Sequence, residues 1–147
     1  MIRIATVAAA LLLTAAPALA QSADNNKIVL TFETGARTGM VMIALYDTAS
    51  AYNGEGRDAD ANRAVARTAI SAQGRVIATF DNLPAGDYAV KAFHDVNGDG
   101  EMNTNPFGMP IEPYAFSNNA VGNMGPARWD RAHFAVSGET TQTISIR

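Results

Sequence analysis

Asp95, Asn97 and Asp99 alternate with Val96 and Gly98, and Gly100 follows at once. Calcium takes six to eight oxygen ligands, and a twelve-position calcium loop supplies them from positions 1, 3, 5, 7, 9 and 12, with glycine at 6 for a sharp turn. Counted from Asp95, those positions hold Asp95, Asn97, Asp99, the Glu101 carbonyl, Asn103 and Pro106, with Gly100 sixth. Pro106 has no side-chain ligand where a bidentate glutamate belongs. Glu112 is the carboxylate that would replace it, which requires the chain to fold back. With Asp95 and Asp99 as its only certain carboxylates, such a site would hold calcium with millimolar to sub-millimolar affinity. The same residues have a plainer use, because Asp and Asn side chains accept hydrogen bonds from backbone amides a few positions on and so shape a turn without an ion. The sequence leaves both readings open.

A second set follows in the same stretch. Tyr114, Phe116 and Trp129, with Asn118, Asn119 and Asn123, combine aromatic faces with amides, the chemistry of a surface that binds a sugar or a peptide. The alternative is that the aromatics pin the loop to the domain while Ser117, Asn118 and Asn119 satisfy its backbone. His94 and His133 are the only histidines, and neither H-x-H nor H-x3-H spacing supports a transition-metal site. No serine stands in a G-x-S-x-G elbow. Asp95, Asp99, Glu101 and Glu112 could supply a glycosidase-type carboxylate pair, a test that any acidic loop meets on paper.

The elements that would position these groups are strands. In Lys27–Thr34, Ile28, Leu30 and Phe32 share one face while Thr31 and Glu33 share the other. Met40–Tyr46 is apolar on both faces, which suits a central strand covered on both sides. Asp47–Asn62 reads as a loop with room for one helical turn, and Arg63–Ile70 as a strand or a short helix, with Gly74 and the clear strand that follow favouring the strand. Gly74–Phe80 and Ala89–His94 are two more strands, joined by a corner in which Phe80, Leu83 and Tyr88 pack around a turn set by Pro84 and Gly86. After a long Asp95–Trp129 loop come Ala132–Val136 and Thr141–Ile146, expected to form a hairpin across Ser137-Gly138-Glu139. A loop of that length is usually functional or disordered, and the aromatics and prolines within it favour order.

Arg3, the apolar run Ile4–Leu13 and Ala18-Leu19-Ala20 form a secretory signal pattern with cleavage after Ala20. The run is too short to span a bilayer, which takes about 20 residues, and no second apolar stretch follows. The 147-residue chain has no cysteine, which excludes disulfides, thiol redox chemistry and a thiolate metal site. Its formal net charge is −3, and no cluster of its 11 basic residues suggests nucleic acid as a partner. What remains after the signal is a single domain, long enough to bury roughly two-thirds of its unfolded surface.

The segment Phe80-x-x-Leu83-Pro84-x-Gly86-x-Tyr88 is similar to a signature of prealbumin-like and carboxypeptidase-regulatory-like sandwich domains. His94-Asp95-x-Asn97-x-Asp99-Gly100 follows it, then Gly108-x-Pro110-x-Glu112-x-Tyr114-x-Phe116-Ser117-Asn118-Asn119 and Gly125-Pro126. With these, the chain resembles a bacterial family of small exported domains of unknown function, from about Lys27 to the C-terminus. The resemblance implies an exported β-sandwich and no established activity. Asn103 departs from it where an Asp is frequent, which removes one negative ligand, and Ala115 stands where Gly is usual.

The expectation is therefore an all-β chain: an antiparallel two-sheet sandwich of about seven strands, Ig-like or prealbumin-like, with one long ordered loop. Residues 1–20 are the signal peptide, 21–26 a short tail and 27–147 the domain. The expected function is a non-catalytic binding or accessory module, periplasmic or secreted. It would be calcium-stabilised through Asp95, Asn97, Asp99, Glu101, Asn103 and Glu112, with Tyr114, Phe116, Asn118, Asn119 and Trp129 as its ligand surface. A glycan, a peptide or an envelope protein is the partner class. The alternatives are a structural domain whose loop is a rigid cap, and a weak hydrolase using the loop carboxylates.

Overall fold

The computed structural model describes residues 25–35 and 37–147. The expected signal peptide, and residues 21–24 of the expected tail, lie outside the described residues.

Strict alternation makes β1 (Asn26–Gly35), which begins one residue before the expected strand. Its Ile28, Leu30 and Phe32 are fully buried. β1 is the middle strand of a three-stranded sheet, antiparallel to β4 (Gly74–Leu83) on one side and parallel to β8 (Glu139–Ser145) on the other. The second sheet is built on β2 (Met40–Tyr46), flanked by β3 (Ala66–Ser71) and β5 (Gly86–Asp95), both antiparallel to it. A short β6 (Tyr114–Phe116) continues this sheet beyond β5, and β7 (Phe134–Val136) pairs with the first residues of β5. The chain is an all-β, two-sheet sandwich.

The sheets meet face to face. Ile28, Leu30 and Phe32 pack with Val41, Ile43 and Leu45, joined by Val76, Val90, Val136 and Ile144. Each such fully buried aliphatic or aromatic side chain contributes ~1.5–3 kcal/mol, the main force holding the layers together. The corner at Phe80–Tyr88 closes one end: Tyr88 is buried and its hydroxyl donates to the Pro84 carbonyl at 2.8 Å. His94 is also buried, its Nε2 donating to the Thr38 carbonyl at 3.0 Å.

Two expectations are corrected. The Ser137–Glu139 turn does not make a hairpin, because β7 and β8 belong to different sheets. The turn is docked on β1 instead, with Gly138 N–H donating to Asn26 Oδ1 at 2.6 Å and Lys27 N–H donating to the Gly138 carbonyl at 3.0 Å. This places Val136 and Ile144 on the core from opposite layers and leaves β1–β8 as a parallel pair in an otherwise antiparallel sandwich. The single long loop is divided as well. β6 and a 3-10 turn at Ser117–Asn119 split it into an arm over residues 96–113 and a second over 120–128. Residues Trp129–Ala132 form a helical turn, α2, so the last strand of this sheet starts at Phe134 rather than Ala132. The helical turn allowed for after β2 is α1 (Ala49–Asn53), capped by the Thr48 hydroxyl and ended by Gly54 in a left-handed conformation.

Candidate functional site

The acidic loop is a network of side chains closed on backbone amides. Asp95 is buried at the end of β5, and its two oxygens accept from Gly98 N–H at 2.6 Å and Gly100 N–H at 2.8 Å. Gly100 has φ +80°, which favours glycine at the turn. Asn97 Oδ1 accepts from Asp99 N–H, and Asp99 Oδ1 from Glu101 N–H. Asn97 Nδ2 donates to Asp99 Oδ2 at 3.0 Å and to Asn103 Oδ1 at 2.8 Å, and Asn103 Nδ2 donates to Asp99 Oδ2 at 2.8 Å. The Asn103 amide, the Glu101 N–H and the Asn97 amide, in that order, hold the exposed Asp99 carboxyl below its ordinary pKa of 3.8. Glu112 does fold back: Oε1 accepts from Val96 N–H at 2.9 Å and Oε2 from Asn103 N–H at 3.1 Å. Glu101 is exposed at the tip.

The donor set for a cation is thus hard oxygen, but Asp95 and Glu112 already serve backbone amides. Asn97 Nδ2 stands between the remaining oxygens, so a cation binding Asp99 and Asn103 there must displace it. Among the described residues, no group of three or more His, Cys, Asp or Glu side chains is arranged to hold a metal ion.

The two asparagines expected on a ligand surface hold backbone instead. Asn118 donates to the Arg131 and His133 carbonyls at 3.1 and 2.9 Å, and its Oδ1 accepts from Gln142 Nε2. Asn119 spans to β8, donating to the Thr143 carbonyl at 2.9 Å and accepting from Ser145 N–H at 2.9 Å. Both residues have positive φ, which asparagine tolerates better than most. Ser117, fully buried, accepts from Val90 N–H at 2.8 Å and donates to the Ala132 carbonyl at 2.6 Å. Trp129 packs at the start of α2, stacked on His133 and edge-on to Tyr52. His133 Nδ1 lies 2.9 Å from the Trp129 carbonyl, while His94 turns to Thr38, so the two histidines have separate partners.

Tyr114 and Phe116 lead to a different place. They alternate on β6 and project on the outer face of the five-stranded sheet, in edge-to-face contact with ring centroids 5.7 Å apart. There the cross-strand register sets out two rows. Ala69, Met42, Phe93 and Tyr114 form one; Arg67, Ala44, Lys91 and Phe116 form the other. The two arms of the long loop stand over these rows. The first arm contributes Gly100, Met102, Met109 and Pro110, and the second Met124, Gly125 and Pro126. Between them runs an open groove of about 1080 Å³, the upper end of the size of small-molecule sites.

The walls have identifiable supports. Asp95 holds Gly100 and Glu112 holds Asn103, on either side of Met102. Asn105 Oδ1 accepts from Phe107 and Met109 N–H, and a Thr104–Pro110 bridge closes this small hairpin. The second arm is fastened by buried Ala127, by an Arg128–Glu55 ion pair and by Trp129 N–H donating to Asn53 Oδ1. The acidic loop therefore serves as the foundation of one wall.

Four of the chain's six methionines, Met42, Met102, Met109 and Met124, line the groove. Met109 and Met124 are largely exposed, as is Tyr114 in part. Flexible thioethers suit a surface that adapts to its ligand. The charged lining is Arg67 and Lys91 alone, with no carboxylate, although the chain as a whole is acidic. Lys91 Nζ donates to the Tyr52 carbonyl at 2.6 Å and lies over the rings of Tyr52 and Tyr46, 4.6 and 5.4 Å from their centroids. Burial pushes its pKa below the ordinary 10.5, and among the described residues no carboxylate pairs with it or with Arg67.

Sequence reasoning singled out Tyr114 and Phe116 but missed Met42, Ala44, Arg67, Lys91, Phe93 and the wall methionines. One signal was present: Met42, Ala44 and Tyr46 make the second apolar face of β2, which implies something apolar over it. The other contributors lie on separate segments and carry no common spacing.

A family model described as an uncharacterized protein conserved in bacteria, DUF2141, matches residues 33–145. No curated protein and no solved structure matches the chain. Among the described residues no helix is long and apolar enough to cross a membrane. The matched span takes in the five-stranded sheet, β4 and β8 with the last residues of β1, both arms of the loop and every residue lining the groove, and the chain belongs to this bacterial DUF2141 family.

Proposed function

We propose that this chain is an exported, non-catalytic binding module whose ligand seat is the groove on the outer face of the five-stranded sheet. The observation that carries this reading is the methionine-lined floor of Met42, Phe93 and Tyr114 between two loop arms. A sheet face left apolar and open to solvent costs free energy that burying it in a complex recovers. The lining is apolar rather than amide-rich, and Asn118 and Asn119 are engaged with backbone, so a small apolar or amphipathic molecule fits better than a glycan. Against the hydrolase alternative, both oxygens of Asp95 and of Glu112 already accept backbone amides. The leader pattern at residues 1–20 supports export, and the Tyr88–Pro84 corner supports the prealbumin-like assignment.

Titration with the fluorescent probe N-phenyl-1-naphthylamine tests the seat. Met42→Glu should abolish saturable binding, whereas Ile77→Glu, on the exposed face of the opposite sheet, should leave it unchanged. Equal binding by both variants, or none by the wild type, would count against the groove.

A second reading, calcium as a brace for the first wall, is favoured by the return of Glu112 to the Asp95–Asn103 turn. Thermal unfolding in excess EDTA, then in millimolar calcium, with magnesium as control, decides it. A tenfold excess over Kd adds about 1.4 kcal/mol of stability, a shift of a few degrees. A calcium-specific rise supports the brace, and identical melting leaves the turn held by hydrogen bonds alone.

A further inference from the structure

The groove has a polarity along the strands. Its Arg67–Ala44–Lys91 row is cationic at both sides, and its Ala69–Met42–Phe93–Tyr114 row carries no charge. Neighbouring strands lie about 4.8 Å apart, so the backbones of Arg67 and Lys91 are roughly 10 Å apart with Ala44 between them. Ala44 is half-buried, packing on one side against the cluster of Tyr46, Tyr52 and Phe116 and lining the groove on the other, and it is flanked by two cations that no carboxylate among the described residues neutralises. The next row is about 7 Å further along the strands, and methionines of both walls flank it. A compact negative group above Ala44 and a flexible apolar chain beyond it match this layout in charge and in shape.

Resting on the reading of the groove as a ligand seat, we propose that its occupant is a single-chain alkyl carboxylate. The head is held between Arg67 and Lys91 above Ala44, and the chain lies along Met42 and Phe93 under Met102, Met109 and Met124. Lys91 is the fixed half of the anchor, since the Tyr52 carbonyl and the Tyr46 and Tyr52 rings hold its ammonium in place. Arg67 is the exposed half, approaching the head from β3 on the other side of β2. Two other features are less open to a ligand. A cleft of about 260 Å³ beside Asn26 and Asp81 has its one cation, Lys27, engaged by Glu139. The unpartnered Nδ1 of His94 and hydroxyl of Tyr52 are enclosed among packed side chains.

Calorimetric titration of the wild-type protein with dodecanoate, dodecanol and dodecyltrimethylammonium tests the proposal, the two ionic amphiphiles kept below their micelle-forming concentrations and dodecanol below its solubility limit. Dodecanoate should bind at least about tenfold more tightly than dodecanol, equivalent to 1.4 kcal/mol, and the cationic amphiphile most weakly. Arg67→Gln, a surface change that leaves the fold intact, should remove most of the preference for dodecanoate without weakening dodecanol. Lys91→Met keeps the bulk between the tyrosine rings and should do the same. Dodecanol binding as tightly as dodecanoate, with Arg67→Gln without effect, would overturn the carboxylate assignment while leaving the groove as a seat. No binding of any of the three, together with N-phenyl-1-naphthylamine binding unaltered by Met42→Glu, would overturn both. A preference for the trimethylammonium head would also refute the proposal, because two cations would then face a third.

Discussion

Replacing Ser117 by alanine removes one hydroxyl and leaves two buried backbone groups without a partner. The side chain is fully buried, its Oγ accepts from Val90 N–H on β5, and it donates to the Ala132 carbonyl at the end of α2. Alanine restores neither contact. Each buried donor or acceptor left unsatisfied costs about 1–3 kcal/mol, so Ser117→Ala should destabilise the domain by about 2–6 kcal/mol. In a domain of this size 1 kcal/mol shifts the melting temperature by about 4 °C, which predicts a fall of about 8–24 °C. Chemical denaturation with urea gives the free energy directly, and an unchanged m-value would confirm that the folded and unfolded states remain comparable. Ser137→Ala, at an exposed position in the β7–β8 connection, is the control and should change stability by less than about 0.5 kcal/mol. A Ser117 variant as stable as that control would refute the reasoning, since it would mean that the loop and α2 are not fastened to the sheet through this hydroxyl.

Other outcomes follow from the same geometry. A Cβ at Gly39 would lie 2.2 Å from the Asp95 carbonyl oxygen, at a φ of +126°, so Gly39→Ala should cost about 3 kcal/mol or more in urea unfolding, while Gly86→Ala, with open space around it, should cost far less. Glu112→Gln keeps one acceptor of the two and should raise hydrogen exchange at Val96 or Asn103 with a loss of about 1–2 kcal/mol, whereas Glu112→Ala should expose both amides. Asp99 has a pKa held below 3.8, so its contribution to the turn is fully present above that value and is lost as pH falls through the lowered pKa; the Glu101 amide resonance should report a transition below pH 3.8 that Asp99→Asn abolishes.

Much of the sandwich was legible because burial imposes a period of two. Ile28, Leu30 and Phe32 on β1, and Val41, Ile43 and Leu45 on β2, announce an inner face by alternation, and Pro84-x-Gly86 announces the corner between β4 and β5. Pairing partners were less legible. Ser137-Gly138-Glu139 has the composition of a hairpin, but Asn26 binds Gly138 from 112 residues away, and nothing local records that. β6 was hidden because three residues in a polar stretch are too few to show a pattern, although Tyr114 and Phe116 already lay two apart. At the candidate site, the ordering of Asp95, Asn97 and Asp99 fitted both a calcium loop and a hydrogen-bonded turn, and Glu112 was named as the calcium ligand that a fold-back would bring in. The groove itself depends on topology: Met42 comes from β2, Met102 and Met109 from one arm and Met124 from the other, so only the folded chain assembles them.

Methionine methyl groups report directly on the central claim, that the groove is where this protein binds its ligand. With carbon-13 in the methionine methyls, a titration with dodecanoate should shift the signals of Met42, Met102, Met109 and Met124 along one saturation curve. The signal of Met40, on the same strand but outside the groove, should stay in place. Signals that do not move, or a response from Met40 equal to that of the four, would contradict the account.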